Sequence, residues 1–215
     1  MTEIKFCGLT RAEDARAAVA LGAAYVGVIF AGGPRSLTVD RAADVLADVP
    51  PTVSRVGVFA EQEAEDIASV ATRLQLHVVQ LHGRASADRI AAIRRGFSGD
   101  VWPVVRVLGA LPNNVDELLE LGDGLLLDAL VPGTLGGTGV AIPWAAVSRE
   151  LEEVRGLKPI VLAGGLRPEN VAEAIARLAP DVVDVSSGVE SAPGIKDHDR
   201  MLAFRDAVTL ASAST

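Results

Sequence analysis

Residues 159–197, PIVLAGGLRPENVAEAIARLAPDVVDVSSGVESAPGIKD, contain one pattern twice. In each copy a short apolar segment ends in small residues, Gly164-Gly165 in the first and Ser187-Gly188 in the second. Glycine lets a backbone approach a ligand closely, and the free N–H groups at a helix start favour an anion. The stretch therefore predicts two strand–loop–helix units that share a phosphate site. Tight strand-to-helix turns would also account for the glycines.

The same alternation of apolar segments and helical patterns extends along the whole chain. Strands are predicted at residues 3–7, 25–30, 53–59, 78–81, 101–107, 124–128, 159–163 and 181–186. Helices are predicted at residues 11–21, 39–47, 61–73, 86–95, 113–121, 143–154, 168–178 and 197–211. Parallel strands with crossover helices in 215 residues favour one α/β domain over residues 1–215, a single-domain (β/α)8 TIM barrel. A doubly wound open sheet is the alternative.

Composition and charge argue against two classes of binding partner, nucleic acid and membrane. The chain has 20 Lys and Arg residues against 28 Asp and Glu residues, a net charge of −8, which argues against nucleic acid. No apolar run approaches the ~20 residues of a membrane span, and the N-terminus lacks the basic and apolar regions of a signal peptide. We expect a cytoplasmic protein, monomer or homodimer, that binds a small phosphorylated substrate and contacts neither membrane nor nucleic acid.

Cysteine and histidine content argues against a metal site. Cys7 is the single cysteine, which excludes an internal disulfide and any multi-cysteine zinc site. The three histidines, His77, His82 and His198, lack the close spacing of metal ligands. No bound metal is expected.

Barrel enzymes carry their chemistry at the carboxyl ends of the strands, where this chain has several polar residues. Cys7, His82 and Asp128 end the first, fourth and sixth predicted strands, and Arg35 follows the second. A carboxylate after a run of leucines is costly to bury, so we expect Asp128 to act at the open mouth, with a hydrogen bond to the next loop as the alternative. The other three also have plainer interpretations: a buried small residue, a rim hydrogen-bonding group and a solvated arginine.

Lys5 and Asp184 are the predicted polar pair of the barrel interior. Side chains alternate across a strand, so Lys5 lies one layer below Cys7 if Cys7 faces inward. Asp184 lies on the last strand, which closes against the first. We predict that the two pair inside the barrel, because an unpaired buried charge is costly; the alternative is that one of them points outward.

The segments KFCGLT, GPR, QLHG, LLLD, GGTG, LAGGLRPENV, VDVSSGVES and PGIKD occur in this order. With them, nearly the whole chain resembles the phosphoribosylanthranilate isomerase family of tryptophan biosynthesis. The resemblance implies a (β/α)8 barrel that catalyses, without a cofactor, the Amadori rearrangement of N-(5-phosphoribosyl)anthranilate to 1-(2-carboxyphenylamino)-1-deoxyribulose 5-phosphate. It also implies Cys7 as the general base and Asp128 as the general acid. We predict that burial beside anionic substrate groups raises the pKa of Asp128.

The resemblance further implies which residues bind the substrate. Arg35 corresponds to the family's arginine near the anthranilate, although Gly33 stands where a serine commonly precedes the Pro-Arg pair. His82 is a further candidate substrate contact. The phosphate site corresponds to Gly164, Gly165, Ser187 and Gly188. Gly137, in the glycine-rich segment at residues 133–139, is an added contributor.

Two alternative functions are also compatible with this sequence. A related isomerase of histidine biosynthesis, or an enzyme with both substrates, would share the scaffold, but that enzyme type uses a pair of aspartates and two phosphate sites, whereas this chain has Cys7 at the first aspartate's position. A non-catalytic barrel that binds a phosphorylated ligand is the second alternative.

Overall fold

The computed structural model describes residues 1–107, 111–129, 147, 151–152 and 156–213. Eight parallel strands form a closed barrel in chain order, and the first strand pairs with both the second and the eighth. The strands are β1 (Glu3–Phe6), β2 (Tyr25–Ile29), β3 (Ser54–Phe59), β4 (Val78–Leu81), β5 (Asp100–Val107), β6 (Leu125–Ala129), β7 (Ile160–Leu162) and β8 (Val182–Val185). The predicted barrel is confirmed, and the open sheet is wrong.

Helices follow the strands and cover the outside of the barrel. Their bounds are α1 (Ala12–Ala20), α2 (Val39–Leu46), α3 (Ala64–Leu74), α4 (Ala87–Arg94), α5 (Val115–Leu121), α6 (Val171–Leu178) and α7 (His198–Ala213). The helix predicted at 143–154 lies largely outside the described residues. Among the residues described, no helix combines the length and apolar character needed to cross a membrane.

Hydrophobic packing divides between the barrel interior and the layer between strands and helices. Inside the barrel, one apolar cluster comprises Val56, Val78, Trp102, Val104, Leu126, Val161, Ala163 and Val182. Tyr25 packs on Trp102 there, with ring centroids 5.1 Å apart. Outer strand residues such as Leu127 and Val183 belong to a second cluster, together with helix residues such as Ile67. Period-two alternation along each strand produces both clusters.

Local side-chain hydrogen bonds decide where several helices begin. Thr38 and Ser86 cap α2 and α4 by accepting a hydrogen bond from a backbone N–H three residues later. Helix α3 starts three residues after the predicted start at 61. The Gln62 side chain accepts from the Ala60 N–H and donates to the Phe30 carbonyl, both at 2.7 Å, and so holds this segment as a loop.

The segment after β8 differs from the prediction. Instead of leading directly to a helix, β8 is followed by a 3₁₀ turn (Ser187–Val189) and then by an antiparallel hairpin, β9 (Glu190–Ala192) and β10 (Ile195–Lys196). Gly194 turns this hairpin at φ +81°, a conformation that favours glycine. The alternation of strand and helix patterns in the sequence does not predict a hairpin this short.

Asp14 fastens the hairpin to α1 and α7. Its carboxylate is fully buried and accepts hydrogen bonds from Arg11 at 2.7 and 2.9 Å, from the Lys196 backbone N–H at 3.2 Å, and lies 2.8 Å from His198 Nε2. Burial opposes the charge of Asp14, but the hydrogen bonds from Arg11 and His198 outweigh it and hold the pKa of this carboxyl below its usual range.

We predict that Asp14→Asn lowers the free energy of unfolding by about 1–3 kcal/mol at neutral pH, because a charged acceptor of several buried hydrogen bonds is lost. The lowered pKa means that the carboxylate stabilises the fold above its usual pKa of 3.8 and ceases to do so as pH falls through the lower folded-state value. Urea unfolding at neutral and at strongly acidic pH measures the difference in free energy of unfolding between the parent and Asp14→Asn. This difference should be smaller in acid.

The matched control is Asp48→Asn, which removes a carboxylate paired with Arg16 on the surface, where both side chains are more than half exposed. Little change is expected there. An equal loss in free energy of unfolding in Asp14→Asn and Asp48→Asn would contradict the stabilising role of Asp14.

Candidate active site

A cavity of about 300 Å³ opens at the carboxyl ends of the barrel strands. Most residues of the predicted site line it: Cys7, Arg35, His82, Asp128, Gly164, Gly165 and Ser187. Gln80, Asp184 and Ser186 also line it. The barrel thus brings together side chains from strands and loops distributed over most of the chain.

Cys7 lies at the cavity floor directly after β1. Its backbone N–H donates to the Val185 carbonyl at 2.9 Å, so the pairing with β8 continues through it. On the neighbouring strand a Cβ at Gly27 would lie 3.0 Å from the Cys7 sulfur, which explains the glycine at this position. Cys7 is 5% exposed, and burial raises the pKa of its thiol although Lys5 favours the thiolate. The thiol is therefore largely protonated at neutral pH.

Asp128 is a buried carboxyl group on β6, also in the cavity wall. Its Oδ2 lies 3.7 Å from Nε2 of His82, which follows β4. Arg106 on β5 stands beside Asp128 in the strand register and donates to the His82 carbonyl at 3.2 Å. Acidic, imidazole and cationic groups from three adjacent strands therefore meet at this side of the mouth.

The predicted pair of Lys5 and Asp184 is confirmed. The two residues are register partners on β1 and β8, and Lys5 Nζ donates to Asp184 Oδ2 at 2.8 Å. Gln80 of β4 accepts a second hydrogen bond from the same ammonium at 3.0 Å. Neither Lys5 nor Asp184 points outward, so that alternative is wrong.

Two glycine loops meet beside the cavity. Gly164 and Gly165 have φ of +84° and +66° after β7, and both line the cavity together with Ser187 of the second loop. Gly188 lies behind them rather than in the cavity wall. A Cβ at Gly188 would overlap the carbonyl oxygen of Leu166, so this glycine lets the two loops pack backbone against backbone.

The first of these loops is longer than the sequence predicts. Helix α6 begins at Val171 rather than at residue 168. Asn170 accepts a hydrogen bond from the Arg167 N–H at 2.9 Å and donates to the Gly165 carbonyl at 3.0 Å, so the intervening residues form a closed turn. Gly137, the remaining candidate for the phosphate site, lies outside the described residues.

Arg35 enters the cavity wall from the loop after β2 and is held by a residue that the sequence interpretation missed. Its guanidinium donates to both carboxylate oxygens of Glu190, at 2.8 and 2.7 Å. Gly8 makes this crossing possible, because a Cβ there would lie 2.7 Å from Arg35 Cδ. The arginine side chain keeps 15% of its surface exposed.

Glu190 also binds a buried lysine of the hairpin. Lys196 Nζ donates to Glu190 at 2.9 Å and to the Ser186 carbonyl at 3.1 Å. Burial lowers the pKa of Lys196 even though Glu190 favours its charge. Glu190 and Lys196 are register partners in the hairpin, and their opposite charges on either side of the Ala-Pro-Gly turn were the only sequence signal for this contact.

Within the part of the chain that the structure describes, no group of three or more His, Cys, Asp or Glu side chains is arranged to hold a metal ion.

Comparisons with known proteins agree on one family. Residues 4–207 match the family model described as N-(5'phosphoribosyl)anthranilate (PRA) isomerase. The chain is 46% identical over 207 residues to the N-(5'-phosphoribosyl)anthranilate isomerase of Acidithiobacillus ferrooxidans, covering 95% of this chain and 96% of that one.

Solved structures give the same result. The crystal structure of phosphoribosyl anthranilate isomerase from Thermus thermophilus superposes with a TM-score of 0.86 at 33% identity, covering 97% of this chain and 99% of that one. A second has a TM-score of 0.81 at 35% identity with the same coverage, and is a phosphoribosyl anthranilate isomerase in complex with reduced 1-(o-carboxyphenylamino)-1-deoxyribulose 5-phosphate.

We predict that alkylation of Cys7 by iodoacetamide accelerates by about tenfold per pH unit through pH ~8.5, the usual thiol pKa, without reaching a plateau. The reason is the raised pKa of the buried thiol, since only the thiolate reacts. Cys7 is the single cysteine, so mass spectrometry of the intact protein follows its rate directly. A plateau below pH ~8 would contradict the raised pKa.

Proposed function

The chain belongs to the N-(5'-phosphoribosyl)anthranilate isomerase family, and from this premise we propose that it catalyses the Amadori rearrangement of N-(5-phosphoribosyl)anthranilate to 1-(2-carboxyphenylamino)-1-deoxyribulose 5-phosphate. Cys7 is the general base and Asp128 the general acid in this proposal. The observation that carries it is that the wall of one cavity contains both groups beside the two glycine loops.

The reaction requires one acid and one base around a single sugar. Opening the ribose ring needs a proton on the ring oxygen, and the resulting imine becomes an enolamine when the proton on C2 is removed. Asp128 on β6 supplies the first proton, and Cys7 after β1 accepts the second. Strands β7 and β8 separate them, and the phosphate loops follow these two strands. A sugar tethered at its phosphate beside β7 and β8 therefore lies between acid and base.

The substrate's two anionic ends match two different parts of the cavity. Gly164, Gly165 and Ser187 supply backbone groups for the phosphate, since positive φ at both glycines turns the chain tightly around the site. Arg35 supplies a guanidinium for the anthranilate carboxylate. Glu190 occupies the Nε and Nη2 groups of Arg35, and Nη1 lies on the remaining side of the fork. His82 lines the cavity beside Asp128.

We predict that Cys7→Ser and Asp128→Asn each lower kcat/KM by at least about a hundredfold, the usual effect of removing a general base or acid. Freshly prepared phosphoribosylanthranilate is supplied, and the loss of its fluorescence is followed. Asp48→Asn, far from the cavity on the surface, serves as the matched control and should retain the parent rate. Activity of Asp128→Asn within about tenfold of the parent would contradict its role as the acid.

The same assay separates the alternatives. A parent protein that binds the reduced product analogue without turnover, with Cys7→Ala unchanged in every measured property, would be a non-catalytic barrel. Turnover of the histidine-pathway aminoaldose as well would make the enzyme dual-substrate.

Arg35→Lys tests the recognition of the carboxylate. Lysine keeps the charge but loses the planar fork, so we predict a KM for phosphoribosylanthranilate raised by about tenfold or more. The matched substrate is the phosphoribosyl derivative of aniline, which has no carboxylate and should show little change between parent and variant. An equal rise in KM for both substrates would contradict the assignment of Arg35 to the anthranilate.

A further inference from the structure

We propose that Lys5 is a positioning residue for the base: its buried ammonium is the fixed cation that stabilises the thiolate of Cys7. This inference deepens the proposed function and rests on it where it concerns catalysis. The stabilisation of the thiolate itself can be measured without any substrate.

Lys5 lies immediately beneath the cavity floor. Its side chain is completely buried, and its Nζ is fixed by Asp184 Oδ2 at 2.8 Å and by Gln80 Oε1 at 3.0 Å. Both acceptors come from cavity-lining residues, on β8 and on β4. The ammonium is therefore held at the level of the floor with two of its three N–H groups engaged.

Cys7 follows Lys5 by two residues and continues the pairing of β1 with β8, because its backbone N–H donates to the Val185 carbonyl at 2.9 Å. Residues two apart on a strand share a face, so Lys5 and Cys7 both point into the barrel. Of the charged groups that act on the thiol, Lys5 has the largest effect, and it favours the thiolate. The ammonium that pairs with Asp184 is therefore also the positive charge that most favours a thiolate at Cys7.

Structural need alone does not account for this lysine. A buried ion pair costs several kcal/mol per ion to desolvate, and apolar residues of similar volume often stabilise a core as well or better. The neighbouring interior positions are apolar, including Val56, Trp102 and Leu126. Asp184 Oδ1 is buried without a hydrogen-bond partner in the described structure, so the pair is not optimised for stability. We infer that the buried lysine is retained because it places a fixed positive charge beneath the thiol.

Four charged groups act on the ionisation of Cys7 from the elements packed around it. Lys5 of β1 and Lys196 of β10 favour the thiolate, and Asp184 of β8 opposes it. Arg35, in the loop after β2, also interacts electrostatically with the thiol. Lys196 and Arg35 share Glu190 as a counter-charge, whereas Lys5 is held directly below Cys7 by Asp184.

The experiment measures thiolate formation directly. The ultraviolet absorbance of the thiolate is titrated against pH as a difference from Cys7→Ser, and the rate of alkylation by iodoacetamide is followed in parallel. In Lys5→Met we expect the titration midpoint to rise by about one pH unit and alkylation at fixed neutral pH to slow by about tenfold. Lys5→Arg keeps the cation and should recover most of the rate. Lys158→Met is the matched control. The Lys158 ammonium donates to the Gly122 carbonyl at 2.5 Å at the other end of the barrel, so this variant should keep the titration midpoint and the alkylation rate of the parent.

Asp184→Asn tests the sign of the effect. Removing the nearby negative charge should lower the midpoint, opposite to the change in Lys5→Met. A loss of packing would shift both variants in the same direction. If Lys5→Met fails to fold, Lys5→Met/Asp184→Asn leaves no unpaired charge, and its midpoint should still exceed that of the parent because the effect of Lys5 on the thiol is larger than that of Asp184. The inference is overturned by an unchanged midpoint in a folded Lys5→Met protein, by shifts of the same sign in Lys5→Met and Asp184→Asn, or by a double variant at or below the parent value.

These outcomes are separable from those of the proposed function. If Cys7→Ser keeps full isomerase activity while Lys5→Met moves the titration, the base assignment fails and the effect of Lys5 on the thiolate is supported. If Cys7→Ser is inactive and Lys5→Met leaves the titration unchanged, the role of Lys5 is overturned and the base assignment stands.

Discussion

The closure of the barrel between its first and last strands is the constraint on which the rest of the molecule depends. Residues 179 positions apart become register partners there, and the ion pair of Lys5 and Asp184 crosses the seam inside the barrel. A slip of one strand by one residue would turn one of these side chains towards the helices and leave the other charge unpaired inside the barrel. The cost of an unpaired buried charge therefore helps to fix the one register in which Cys7 and the two glycine loops face a shared space.

Charge in the cavity is arranged in layers around this seam. Lys5 and Asp184 form the lower layer, and Arg35, Glu190 and Lys196 form a second buried cluster at the side. A protein with a net charge of −8 can hold an anionic substrate only where such cations are concentrated and fixed. The second cluster depends on the hairpin after β8, so this hairpin, which Asp14 ties to α1, contributes to the cavity as well as to stability.

Much of this arrangement could be read from the sequence, and the exceptions have a common cause. The strands, the inward direction of Lys5 and the glycine loops follow from periodicity and turn chemistry, which are local. The contact between Arg35 and Glu190 joins residues 155 positions apart and is neither periodic nor part of a strand ladder. The late start of α3 depends on Gln62 reaching the Phe30 carbonyl, a contact that exists only after β2 and β3 have paired.

The sequence by itself determined the family, the alternation of strands and helices, and which residue types stand at the strand ends, because these are properties of the residues and their spacing. Only the tertiary structure decided which of those residues meet. Cys7 is buried near the ammonium of Lys5, which opposes the rise in thiol pKa that burial causes. Arg35 is paired with the carboxylate of Glu190. Ionisation and hydrogen bonding depend on distance and solvent exposure, and both are set by how the closed barrel brings remote segments together.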